Sequence, residues 1–188
     1  MLKNYNSKLG PDIYAFSLPR STCHHKTIDC EKYCYAKRGT FIFDNVKEAL
    51  DRYYKESLED DFVDRLCAQI IFNRVKWVRI HPSGDFYSQE YADKWKEIAK
   101  RSPKTKFLVY TRNWDIDFSD VPKNLTVYNS VDKSTKKTNP TIKRRAIAID
   151  ITAPKHMKRV KYGFICDNKC RYCKACWYGK FDVVFPIR

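Results

Sequence analysis

Several features are missing from this 188-residue chain. No apolar run approaches the roughly 20 residues that a membrane span requires, and the opening MLKNYNSKLGPDIY has no apolar middle region of the kind a secretory signal carries. These absences point to a cytoplasmic protein without a membrane partner. In a reducing compartment a disulfide framework is not expected either, because thiols there are kept reduced. No internal repeat is visible, and acidic residues are outnumbered, 22 Asp and Glu against 37 Lys and Arg.

What remains is the composition of one folded domain. With 43% hydrophobic and 15% aromatic residues the chain can bury a core, and its length suits a single domain rather than two. The formal charge of +15 points to an anionic partner. Much of it is concentrated in DKSTKKTNPTIKRR, where Lys133, Lys136, Lys137, Lys143, Arg144 and Arg145 face only Asp132. Such a run suits the phosphates of a nucleic acid or nucleotide; a solvated loop is the plainer reading.

Eight cysteines fall into two groups and one outlier. Cys67 continues the apolar face of DFVDRLCAQIIF and reads as a small buried hydrophobe. At the C-terminus, CDNKCRYCKACW carries Cys166, Cys170, Cys173 and Cys176. A structural zinc site usually takes two separated pairs. Here C-x2-C-x2-C follows a nearby cysteine, the close spacing with which a loop wraps an iron-sulfur cubane. Iron-sulfur chemistry is therefore favoured over zinc. The N-terminal trio, Cys23, Cys30 and Cys34, has the spacing C-x6-C-x3-C. Three thiolates would hold three irons of a four-iron centre and leave the fourth open. His24, His25 or a residue elsewhere could complete that shell, and a single cluster drawing on both ends of the chain is a third arrangement.

The periodicity predicts a first strand in DIYAFSLP, helices in NVKEALDRYYKES and DDFVDRLCAQIIFNRV, a strand in KWVRIH and a PSGD turn. A helix capped by Ser88 follows, then strands in KFLVYT, LTVYNS, AIAIDIT and YGFIC, with DVVFPI as a terminal edge strand that tolerates Pro186. Alternating strands and helices imply a mostly parallel sheet. The later connections are too short for full helices, so the expected fold is an incomplete or degenerate (β/α) barrel or a curved open sheet. One domain is expected, a partial barrel over 12–165 followed by a cysteine motif at 166–177. Ligands gather at the C-terminal ends of such strands, which places His81, Ser83, Gly84, Asp85, Thr111, Arg112, Asn129 and Asp150 beside both cysteine groups. Each also has a plainer reading as a cap, turn or solvated charge.

FSLPRSTC, CEKYCYA, VRIHPSGDFYSQEY, the strand ending YTR, and CRYCKACW together resemble the phage-encoded gene product 88 family, whose members resemble radical S-adenosylmethionine (SAM) proteins. The similarity runs from about Phe16 to Trp177. It implies a cysteine-ligated 4Fe-4S cluster, one or two per chain, on a reduced barrel. It further implies SAM at the open iron, with Ser83, Gly84 and Asp85 near the methionine amino group, and an electron donor feeding a C-terminal auxiliary cluster. Asp85 and Arg112 would contact ligand, joined by Thr111, Asn129 and Asp150; His81 would transfer protons or cap its strand. The usual radical SAM spacing is C-x3-C-x2-C, from which this chain departs. The rival class is a non-catalytic iron-sulfur or zinc protein that binds nucleic acid or a protein partner. For a phage-encoded chain the compartment would be the host cytoplasm.

Overall fold

The computed structural model describes residues 1–4, 9–150 and 163–187. Seven parallel strands form one sheet: β1 (Ile13–Phe16), β2 (Trp77–Ile80), β3 (Lys106–Thr111), β4 (Leu125–Val131), β5 (Arg145–Asp150), β6 (Gly163–Ile165) and β7 (Asp182–Ile187). Their order is β1-β2-β3-β4-β5-β7-β6, and β1 and β6 do not pair, so the sheet is open. The expected incomplete α/β fold is what forms.

Helices fill the early connections. Helix α1 (Ile28–Tyr33), α2 (Asp44–Leu58) and α3 (Phe62–Phe72) lie between β1 and β2, and α4 (Gln89–Arg101) lies between β2 and β3. The Ser88 hydroxyl accepts from the Tyr91 amide and caps α4, satisfying one amide that the first turn leaves free. Strand alternation then divides the core. Phe16, Val78, Ile80, Phe107 and Val109 meet Phe62, Leu66, Ile70, Tyr91, Trp95 and Ile98 of the helix layer, where Cys67 is also buried. The opposite face carries Ile13, Leu108, Tyr128, Ala146 and Val183 and is covered by Cys176 and Trp177. The Trp177 indole N–H donates to the Val78 carbonyl at 3.0 Å, fixing this cover to β2.

Two expectations change here. DVVFPI lies between β5 and β6, not at the sheet edge. Pro186 is tolerated because Val184 uses its carbonyl toward β6, accepting from the Cys166 amide, whereas Pro186 lies on the same side beyond the last residue of β6. Of the C-terminal cysteines, Cys166 directly follows β6, its amide bonded to the Val184 carbonyl, but the segment after it turns away from the strand ends. Cys170 and Cys176 pack on the face opposite the long helices, because CRYCKACW supplies Cys176 and Trp177 to the apolar cluster there. Of the predicted strands, residues 151, 152 and 162 lie outside the described residues.

Candidate metal centre

The N-terminal cysteines are held by a clamp between two loops. After β1, the Leu18 amide donates to the Ser83 carbonyl at 2.8 Å, and the Asp85 amide donates to the Thr22 hydroxyl at 3.1 Å. Gly84 makes the approach possible. At φ +82°, a Cβ there would stand 2.5 Å from Leu18 Cβ and 2.8 Å from Thr22 Oγ1. The SGD turn thus seats the segment that delivers Cys23. The next loop is capped by Thr27, whose hydroxyl accepts from the Cys30 amide at 3.0 Å and donates to Asp132. Arg112 completes the frame: its guanidinium pairs with Asp132 at 2.8 Å and reaches Cys30.

Cys23, Cys30 and Cys34 share one environment. Burial pushes the Cys23 thiol up to about 12, with smaller additions from Asp85, Cys30 and Cys34. Burial likewise raises Cys30, opposed by Arg112. Raised in this way, the Cys23 and Cys30 thiols keep their protons at neutral pH, and a bound cation would displace them. Arg20 and Lys37 both grip Glu31, between Cys30 and Cys34, and hydrogen bonds from Lys37 and Arg20 lower its carboxyl to about 2. His24 is exposed. The His25 ring lies tilted against Trp114 with centroids 4.0 Å apart and faces Asp115 at 3.0 Å, and its Nδ1 is buried with no partner among the described residues.

The C-terminal set is built by backbone turns. A short helix, α5 (Cys170–Cys173), is flanked by Asn168, Lys174 and Gly179 at φ +63°, +50° and +54°. These left-handed residues curl the chain around the sulfurs. Cys166 and Cys176 are buried, Cys170 is half-buried and Cys173 is exposed. The Asn168 amide donates to the Cys166 sulfur at 3.4 Å. Burial pushes the Cys176 thiol up to about 11; the Tyr110 hydroxyl and Arg79 act against that rise, while Cys166 and Cys170 add to it.

The donor chemistry suits soft metal at both places. Among the described residues, however, no three His, Cys, Asp or Glu side chains already stand in ion-holding geometry. Cys23, Cys30 and Cys34 lie close enough to act on one another, as do Cys166, Cys170 and Cys176.

The predicted polar contacts at the strand ends are mostly engaged with one another. Asp85 Oδ1 accepts from the Thr111 hydroxyl at 2.6 Å and the Phe86 amide at 2.8 Å, and Oδ2 accepts from the Arg112 amide at 2.8 Å. Burial raises its pKa in spite of these donors. Asn129 donates to the Asn139 and Ile142 carbonyls at 3.0 and 2.9 Å and accepts from the Asn139 amide at 2.9 Å. Asn139 in turn donates to the Asn113 and Ile116 carbonyls. Ser83 Oγ is buried and has no protein partner.

His81 is 3% exposed and packs in the helix layer against Phe86 and Tyr91, sharing a 2.9 Å hydrogen bond with the Tyr91 hydroxyl. Burial, with a smaller push from Arg79, lowers its pKa to about 3. It is a neutral core residue away from the cysteines. Asp150 ends β5, and its side chain lies outside the described residues. In the basic loop Lys133 meets Asp29, Lys137 meets Asp115 and lies over Trp114, and Arg145 is held by Asp182. Lys136, Lys143 and Arg144 are exposed and carry no ion pair among the described residues.

Sequence reasoning did not single out Thr27, Asp132, Trp114, Arg79 or Tyr110. Arg79 had a signal: strand alternation in WVRI sets it opposite Val78 and Ile80, onto the side away from the long helices. Among the described residues no helix is long and apolar enough to cross a membrane. No curated protein and no solved structure matches the chain. The profile described as gene product 88 matches residues 1–180, nearly the whole length that carries both cysteine sets and the sheet between them. The chain belongs to the gene product 88 family.

Proposed function

We propose that this is an iron-sulfur protein, similar in plan to radical SAM proteins, with Cys23, Cys30 and Cys34 as ligands of a 4Fe-4S centre that keeps one iron open. Cys166, Cys170, Cys173 and Cys176 would hold a second cluster. One observation carries the reading: three half-buried thiols from two turns of chain lie close enough to act on one another at the C-terminal ends of β1 to β3, with Arg112 beside Cys30. When bound, such a centre supplies one-electron reduction, and SAM is the substrate suited to an open iron.

The protein's own groups have separate tasks in this reading. Arg112, fixed by Asp132, favours the thiolate of Cys30. Gly84 brings two loops into contact and sets the position of Cys23. Asp85 holds the amide of Arg112 and the hydroxyl of Thr111, and Ser83 Oγ is the polar group of the SGD turn left for a ligand. His81, neutral and hydrogen-bonded to Tyr91, serves the packing of the helix layer in this reading.

The test is iron and sulfide content of anaerobically purified protein, with electron paramagnetic resonance of the reduced state before and after SAM. About eight irons per chain and a signal altered by SAM support the proposal. Absence of iron, or zinc in its place, sinks it. A non-catalytic reading is favoured by a different observation: Asp85, Thr111 and Asn129 are engaged internally, while Lys136, Lys143 and Arg144 are exposed and unpaired. It requires a spectrum indifferent to SAM and binding to DNA or RNA. Replacing those three basic residues by glutamine would then flatten the plot of log affinity against log salt by about 2 to 3 units.

A further inference from the structure

Arg79 is half-buried, with one nitrogen of its guanidinium shut off from water. On the face opposite the long helices its guanidinium lies 3.9 Å from the centroid of the Tyr110 ring. Nη1 is buried without a hydrogen-bond partner, and among the described residues the group forms no ion pair. Guanidinium does not deprotonate in proteins, so burial cannot be relieved by losing the charge. Contact with an aromatic face recovers only part of the lost hydration. Negative charge beside it would offset the lost hydration of Nη1.

The groups around Arg79 identify where that charge would lie. Tyr110 is held on β3 between Arg79 and two further rings, Tyr128 at 5.4 Å and Phe185 at 5.3 Å. Tyr110 and the half-buried Cys170 pack against the same apolar cluster that contains Cys176, and the Tyr110 hydroxyl interacts with the Cys176 thiol. The fixed ring thus places a hydroxyl donor at one sulfur of the C-terminal set and a positive charge behind it.

We propose that Arg79 and Tyr110 are positioning residues for the iron centre of the C-terminal cysteines, Arg79 as countercharge to its thiolates and Tyr110 as hydrogen-bond donor to the Cys176 sulfur. This inference rests on the iron-sulfur reading above. Reduction adds one electron, from dithionite in the experiment below, to a centre already surrounded by thiolates; no bond forms or breaks. A nearby cation and an O–H donor to sulfur both favour the more negative state, so together they raise the reduction potential.

Tyr110→Phe, Arg79→Gln and Arg79→Lys separate this role from simple packing. Each protein is purified anaerobically and its iron counted. A dithionite titration is then followed by electron paramagnetic resonance, the C-terminal signal being assigned by its loss in Cys173→Ser. Expected are unchanged iron content, a midpoint shifted to more negative potential in Tyr110→Phe and Arg79→Gln, and a value near wild type in Arg79→Lys, which keeps the charge. Intact iron with unmoved midpoints in Tyr110→Phe and Arg79→Gln overturns the inference and leaves the cluster reading standing. Wild-type protein without iron overturns both. If Arg79→Gln does not fold, Tyr110→Phe decides, since it removes one oxygen and keeps the packed ring.

Discussion

Acidification should destabilise this protein through His81. The ring is buried among Phe86, Tyr91 and Trp95, and burial holds its pKa near 3. In the unfolded chain the same group titrates near 6.5. Between those values the unfolded state binds the extra proton, so stability present above pH 6.5 is lost progressively as pH falls toward 3. Linkage with these two values gives a loss of about 2 kcal/mol between pH 7.5 and pH 5, and about 3 kcal/mol by pH 4. That is a large share of a typical domain's stability.

The comparison that isolates the effect uses His81→Asn. At φ +54° the backbone of His81 is left-handed, a conformation asparagine accepts. The substitution costs stability at every pH, because the ring and its bond to Tyr91 are gone, but it removes the titration. Urea unfolding from pH 7.5 to 4 should therefore show a shallower fall for the variant. Asp85 makes the pairwise design necessary: its folded pKa is raised, so its contribution is lost as pH rises, opposite in sense to that of His81. Parallel stability curves for wild type and variant would refute the burial argument.

Other outcomes follow from the same geometry. Gly84→Ala should lose about 2 to 4 kcal/mol in urea unfolding, from the strained φ and the overlap with Leu18 Cβ; full stability would mean that the two loops are not clamped there. Cys67→Ala should leave iron content unchanged, since Cys67 is buried on α3 in the helix layer. Cys173→Ser should lower both iron content and melting temperature, because metal binding at a site built from separate turns is coupled to folding. Unchanged iron and melting in Cys173→Ser would remove the second cluster.

The strands and long helices were legible because their patterns are local. WVRI and KFLVYT alternate or run apolar between turn signals, and the apolar faces of α2 to α4 recur every three to four residues. The order β5-β7-β6 was not legible, since a late strand inserting between two earlier ones is decided by long-range packing. The location of the C-terminal cysteines was hidden for the same reason: spacing suggests which sulfurs act together, while Trp177 and its bond to Val78 decide which face they cover. Lone polar residues misled most. Asp85, Thr111 and Asn129 stand where ligand contacts stand in α/β folds, and nothing in their identity reveals that their bonds are already made.

The shortened connections explain that engagement. After β1 and β2, helices bury the apolar side of the sheet and satisfy their own backbone. After β3 and β4, residues 112–124 and 132–144 return to the sheet without a helix, so their amides and carbonyls need partners from side chains. Thr111, Asn113, Asn129 and Asn139 supply them: Thr111 accepts from the Asn113 amide, Asn113 from the Asp115 amide, Asn129 reaches Asn139 and Ile142, and Asn139 reaches Asn113 and Ile116. An open parallel sheet with short late connections thus turns strand-end polar residues into loop scaffolding. Fewer of them remain for a ligand, and under the proposed iron-sulfur reading specificity at the N-terminal site would fall to the thiols, Arg112 and the Ser83 hydroxyl. Substitution at Asn129 should therefore lower stability before it alters any ligand affinity, whereas substitution at Ser83 should do the reverse.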